Sequence, residues 1–459
     1  SATNLFAIQR DIATAIAGVL KTRLTPQEQQ RLAEVPTRNL AAYDDYLHGR
    51  NLFRRNLVLK DVEDARLAFE NAVQRDPAYA DAWAMLSIIR STLVWEWGLY
   101  EQVAAADAAA ERAQQLAPDS RLSLLAAGYV RYYGHRDYDG ALALLGRAET
   151  QAPKDADVLM PIGFVLRRQG EFRAAIGYFE RAMQSDPLAV DPVNAAAVSE
   201  YLLRNYDQAQ RLWERVFSLD PNVSFPYRQL ARTLLLRNAD RAGAEALVRR
   251  AAGRVPLSEL VFNDGMMARL VGPRFADELL AAPVETADWP RVMYSKVEGI
   301  TPVDAHFGRG MLLRELQRDA EARREFETVA KMVDAAALAA DLRANSYQGS
   351  LHSTLAVTLA LLGERERALK LAQEGVAAFG PQGDRFYEGY RRLDLAAVCM
   401  LNGDKDHAFD ELETLLSTPS PVSIAMLGID PLWTPLRGDP RFAALLARHA
   451  DVPAQSKKK

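Results

Sequence analysis

A single cysteine, Cys399, is all that this 459-residue sequence contains. It lies in the apolar-periodic stretch Leu395 to Leu401, so an intramolecular disulfide and a thiolate metal cluster are both excluded. A lone buried thiol is tolerated in cytoplasm or periplasm, and the compartment stays open. Long apolar runs are also missing: none approaches about eighteen residues, and the start has neither a basic n-region nor a signal-type core. A start at Ser1 rather than methionine fits a processed or excised part of something longer, and a tether upstream would be out of sight. Runs of β-branched residues are scarce beside alanine, leucine, arginine and glutamate, which points to an all-α chain. A net charge of −4 provides no drive toward nucleic acid or an anionic membrane. The basic run Lys457, Lys458 and Lys459 reads as a solvated tail.

Catalytic signatures are absent too. There is no nucleophile elbow G-x-S-x-G, no phosphate loop G-x-x-x-x-G-K-[ST] and no zinc motif H-E-x-x-H. Gly308 and Gly310 come nearest to a glycine-rich loop, but Met311-Leu312-Leu313 continues as a helix and the required strand is lacking. The six histidines (His48, His135, His306, His352, His407 and His449) are scattered rather than set at ligand spacing. The run His135-Arg136-Asp137-Tyr138-Asp139-Gly140 lacks calcium-loop spacing and a closing glutamate, and falls where a helix-to-helix turn belongs. No catalytic residue, cofactor or metal is expected.

What is present is repetition. Pro77, Pro118, Pro153, Pro187, Pro221 and Pro256 recur at differences of 41, 35, 34, 34 and 35, and five residues before each stands Ala72, Ala113, Ala148, Ala182, Val216 or Ala251. Proline cannot continue a helix, so each opens the next element after a stop. Ala65, Phe69 and Ala72 share one helix face, as do Ala175, Phe179 and Ala182. Breaks such as Arg168 to Phe172 and Leu203 to Tyr206 divide each unit into two helices.

These residues resemble the tetratricopeptide consensus: Trp83 and Leu86, Gly128, then Gly163, Gly170, Ala175, Phe179, Ala182 and Pro187. The resemblance implies a right-handed superhelical solenoid of helix pairs, with about nine units by this template. Six regular units run over 46–256, after an N-terminal helical cap or domain end at 1–45. From 257 to 302 the register is lost around Gly272-Pro273, Pro283 and Trp289-Pro290, giving an irregular connector that could bend the solenoid. Looser units over 303–418 carry Gly310, Ala322 and Phe326, then Leu355, Gly363, Ala368 and Pro381, then Leu395, Gly403 and Ala408. A C-terminal cap and the basic tail fill 419–459.

At the start, Leu5, Ile8, Ile12, Ile16, Val19 and Leu20 form an apolar stripe at helical spacing that needs a cover. The segment around Asp11-Ile12 with Pro36 to Arg50 resembles the junction in a group of bacterial multidomain regulators. The run Asp430-Pro431-Leu432-Trp433, with Leu436 to Phe442, is similar to their closing cap. In that group a winged-helix, class III cyclase or Ser/Thr kinase domain precedes a TolB-like domain and a tetratricopeptide tail. The resemblance implies a sensory or docking tail. Two other roles remain open, the regulatory part of an enzyme and a free-standing assembly scaffold.

First helices line the concave face in tetratricopeptide proteins. Positions facing away from the alanine and glycine packing side at i, i+3 and i+4 are Arg50 and Arg54; Tyr129, Tyr132 and Tyr133; Phe164, Arg167 and Arg168; Asn194 and Tyr201; Arg228 and Arg232. Arginine and tyrosine bind well from rigid surfaces, so a protein or peptide partner is expected, with an acidic or C-terminal peptide suiting the groove. The lysine and asparagine pattern of a carboxylate clamp for chaperone tails is missing. The aromatic run Trp95 to Tyr100 is expected to be buried in a lengthened helix pair.

Overall fold

The Asp-Pro turns are built from their own side chains. The Asp186 carboxylate accepts from the Leu188 backbone N–H at 3.1 Å, and Asp76 does the same for Ala78 at 3.0 Å, satisfying donors that a turn leaves open. Arginines of second helices then close the preceding turn: Arg181 donates to the Pro153 carbonyl at 2.8 Å, and Arg215 to that of Pro187 at 3.0 Å. At Pro153 and Pro187 the periodic proline thus marks a turn whose carbonyl is claimed by the second helix of the pair that follows.

The computed structural model describes residues 36–55, 59–221, 224–282, 301–333, 351–378 and 383–450, with scattered positions between 11 and 19 and at 284 and 338. Among them there is no strand, and the architecture is an all-α solenoid of tetratricopeptide-type helix pairs. No helix among the described residues is long and apolar enough to cross a membrane. Leu5, Ile8 and Leu20 of the apolar stripe, Trp289-Pro290, Pro381 and the lysine tail lie outside the described residues. Ile12, Ile16 and Val19 are exposed.

Two compact units emerge, residues 1–94 with 99–151 and residues 95–98 with 152–459. The first holds α1 (Leu40–Arg55), α2 (Leu59–Arg75), most of α3 (Ala80–Trp97), α4 (Val103–Leu116), α5 (Arg121–Tyr129) and α6 (Tyr138–Gln151). A π-helical turn, Val130–Gly134, extends α5. The 41-residue interval is absorbed by the long α3, stopped at Gly98 with φ +67°, and by the 3-10 turn Tyr100–Gln102. Trp95 is buried, as expected of that run, whereas Trp97 and Tyr100 are half-buried.

The second unit continues with α7 (Ala156–Arg168), α8 (Phe172–Ser185), α9 (Val190–Leu202), α10 (Tyr206–Leu219), α11 (Ser224–Asn238) and α12 (Arg241–Ala251). Short pieces follow: α13 (Leu257–Val261), α14 (Gly265–Leu270) and α15 (Ala276–Ala281). Regular pairs resume with α16 (Pro302–Glu315) and α17 (Asp319–Met332), α18 (Leu351–Leu362) and α19 (Arg365–Ala377), and α20 (Arg385–Leu401) and α21 (Lys405–Ser417), before α22 (Ile424–Ile429) and α23 (Pro440–Arg448).

Glycine permits the closest helix crossings. A Cβ on Gly163 would stand 2.4 Å from the Phe179 ring, and one on Gly308 would stand 2.6 Å from the Phe262 Cα. The second neighbour is backbone and cannot swing aside, so the glycine of α16 is a packing contact rather than part of a phosphate loop.

Candidate functional site

Helix α20 packs against its sequence neighbours α19 and α21 and also reaches back to α7. Asp384 caps it, accepting from the Phe386 and Tyr387 N–H groups at 3.1 and 3.3 Å, and also meets Arg168 of α7 at 3.1 Å. Arg168 is 1% exposed and lies over the rings of Tyr387 at 4.3 Å and Trp95 at 4.7 Å; Arg167 lies over Phe386 at 4.1 Å. Arg204 occupies the left-handed region at φ +62° and reaches the end of α21 and the segment after it. It donates to the carbonyls of Leu415 at 2.5 Å, Thr418 at 3.0 Å and Val422 at 2.9 Å. Burial holds its guanidinium below the usual range. The C-terminal repeats are therefore tied across the unit to α7 and to the α9–α10 turn.

A chamber of about 310 Å³ lies inside this closure. Its wall takes Phe225, Arg228, Gln229 and Arg232 from α11, Asp264 and Arg269 from α14 and its cap, Asp304 and Phe307 from α16, and Ser353 from α18. Phe386, Tyr387, Tyr390, Arg391 and Asp394 of α20 add to it, as do Asp430, Trp433 and the α3 residues Trp95 and Glu96 that belong to this unit. Asp304, Tyr390, Asp394 and Glu96 are half-buried, so the chamber opens to solvent.

Its electrostatics are uneven. Arg232 pairs with Asp264 at 2.8 Å, and Arg269 grips Asp430 through two bonds of 2.7 and 2.5 Å, the fork geometry in which arginine binds carboxylate best. Burial pushes the Glu96 carboxyl up to about 8 despite Arg168. Burial likewise lifts Asp394 to about 6, with Arg391 and the Ser353 hydroxyl pulling the other way. Both carboxyls are held where charge is poorly supported.

A raised acid pKa means that the folded state binds more protons than the unfolded one between about pH 4.5 and 8, so stability falls as pH rises through that window. Glu96→Gln removes this cost. The variant is expected to match the parent near pH 4.5 and to exceed it by about 1–3 kcal/mol near pH 8.5, after discounting for partial exposure. Urea unfolding at the two pH values measures the difference; a gap that does not widen with pH would contradict the assignment.

The groove residues expected from sequence fall into three groups. Arg228 and Arg232 line the chamber, and Tyr201, 1% exposed, packs beneath Arg232 at 5.6 Å. Arg167, Arg168 and Asn194 are buried and Phe164 is half-buried, the arginines being engaged by the chain itself. The placement of the two arginines differs from an open groove because α20 covers them. In the first unit, Arg54 is exposed and Arg50 lies over Tyr46 at 5.8 Å, whereas Tyr132 and Tyr133 are buried in a ring cluster with half-buried Tyr129. The π turn inserts a residue, which rotates these tyrosines off the face that a regular helix would give them.

Asp264, Arg269, Asp384, Phe386, Tyr387, Tyr390, Arg391, Asp394 and Asp430 were not among the expected site residues. The same rule applied to α20 would have found part of the set, since Tyr387, Tyr390, Arg391 and Asp394 stand at i, i+3, i+4 and i+7.

No family model matches the chain, and no curated protein sequence does. Solved structures do resemble it. PilF of Pseudomonas aeruginosa is 20% identical over 48% of this chain and 94% of its own, at a TM-score of 0.37. A tetratricopeptide repeat protein of Parabacteroides merdae is 12% identical over 70% of this chain and 99% of its own, at 0.40. Human IFIT1, solved as a dimer with PPP-AAAA, is 15% identical over 88% and 76%, at 0.44. The likeness is one of repeat architecture and extends to no site.

Proposed function

We propose that this chain is a protein- or peptide-binding scaffold and that the chamber of its second unit receives part of the partner. The supporting observation is a solvent-connected cavity of about 310 Å³ walled by aromatic rings and fixed ion pairs, the combination of area and placed polar groups that marks a binding site. The acidic or C-terminal peptide suggested by the sequence would compete with acceptors that Arg168 and Arg232 already hold. A finer role, the sensory or docking tail of a bacterial regulator, draws support from the closing run. Asp430 and Trp433 of that run are chamber walls, so an occupant would bear directly on the C-terminal segment.

Random peptides displayed and selected against the full chain provide the test, with Arg228→Ala and Tyr390→Ala as counter-screens. Selected peptides should lose about tenfold or more in affinity for each variant. Peptides that bind parent and variants equally would move the site elsewhere.

A further inference from the structure

The chamber's charges are matched in one direction only. Every arginine in its wall has an acceptor within the chain: the Glu259 carbonyl for Arg228 at 3.3 Å, Asp264 for Arg232 at 2.8 Å, Asp430 for Arg269 at 2.5 Å, and the Ser353 hydroxyl for Arg391 at 2.8 Å. Its acceptors are less well served. Among the described residues, no cationic side chain lies within 4.0 Å of the Glu96 or Asp394 carboxylate. Gln229, 6% exposed and in the same wall, has a side-chain oxygen without a hydrogen-bond donor among those residues. Buried acceptors without donors are rare in folded proteins and call for an explanation.

Aromatic rings share the wall with these acceptors: Phe225, Phe386, Tyr390 and Trp433. Ring faces attract cations and repel anions, while an ammonium group has three donors and no acceptor. We propose that the chamber binds the ammonium end of an amine, with Asp394 as its acceptor and the aromatic wall holding its apolar body. The inference rests on the chamber being the partner site and names the group that enters it. The volume, at the lower end of the roughly 300–1,000 Å³ of ligand sites, suits one ring or a short alkyl chain. A free amine or a lysine side chain of a partner protein has this chemistry. An entering ammonium would also favour the charged form of the Asp394 carboxyl, which burial disfavours.

Calorimetric titration of the full chain at near-neutral pH with phenethylamine, 2-phenylethanol, 3-phenylpropanoate and acetyl-Phe-Lys-Phe-amide tests this directly. Phenethylamine should bind about tenfold or more tightly than the alcohol, and the carboxylate should not bind. Asp394→Asn should cost about tenfold in amine affinity with unchanged helicity by circular dichroism. Tighter binding of the lysine peptide assigns the amine to a partner protein, and tighter binding of phenethylamine assigns it to a small molecule. No amine binding, preference for the carboxylate, or affinity indifferent to Asp394→Asn would overturn the inference. Should display-selected peptides still depend on Tyr390 in that event, the scaffold reading stands and only the ammonium falls.

Discussion

Replacing Asp430 by alanine is expected to destabilise the second unit by about 3–5 kcal/mol, among the largest effects of any single substitution in this chain. Its partner Arg269 is 8% exposed, and the two are joined by bonds of 2.7 and 2.5 Å. Truncating the carboxylate leaves a guanidinium charge in a place from which water is largely excluded. It also removes the acceptor that caps the 3-10 turn Pro431–Leu436 at the Leu432 N–H, 3.1 Å away. The paired replacement Arg269→Met with Asp430→Leu should recover most of the loss, because an apolar pair of similar volume avoids burying either charge. Urea unfolding of the two singles and the double completes the cycle. A double variant as unstable as Asp430→Ala would mean that the turn cap, and not the stranded charge, carries the effect.

This pair also shows where the sequence can be read and where it cannot. Asp430-Pro431-Leu432-Trp433 stands out as a closing motif from the residues alone, and its local logic is visible there: an aspartate cap, a proline at the first turn position and a tryptophan to bury. The partner is not visible. Arg269 lies 161 residues upstream in a stretch where the repeat pattern fails, and no periodicity connects the two. The same contrast holds throughout. Ala175, Phe179 and Ala182 repeat at the spacing of a helix face, so the helix pairs follow from local rules. Arg167 and Arg168 obey those rules equally well, and the expectation that they face an open groove fails only because Phe386 and Tyr387 cover them from far along the chain. Tyr132 and Tyr133 illustrate a second limit, since a π turn shifts a register that a fixed 3.6-residue period assumes constant.

The tie between α7 and α20 leads to the other large effect. Arg168→Ala should cost about 3–5 kcal/mol, toward the lower end because Asp384 keeps two backbone donors when the guanidinium is gone. Lysine should not rescue it. A point charge on a flexible stem cannot lie flat among Trp95, Phe386 and Tyr387 while meeting Asp384 at 3.1 Å, as the planar guanidinium does. The loss should be local before it is global. Helix α8 is held to α7 by the Phe179 ring seated against Gly163, a neighbouring contact that the substitution leaves intact, whereas the tie between α7 and α20 bridges 216 residues of sequence. Solenoid stability is largely a sum of neighbouring interfaces, so breaking a remote tie should release α20 while the α7–α8 pair keeps its protection. Native-state hydrogen exchange resolves this: amides of α20 should exchange faster in Arg168→Ala by a factor matching the lost stability, and those of α8 should change little. Uniform acceleration across both helices would mean that the unit opens as one body and that the chamber cannot open without unfolding it.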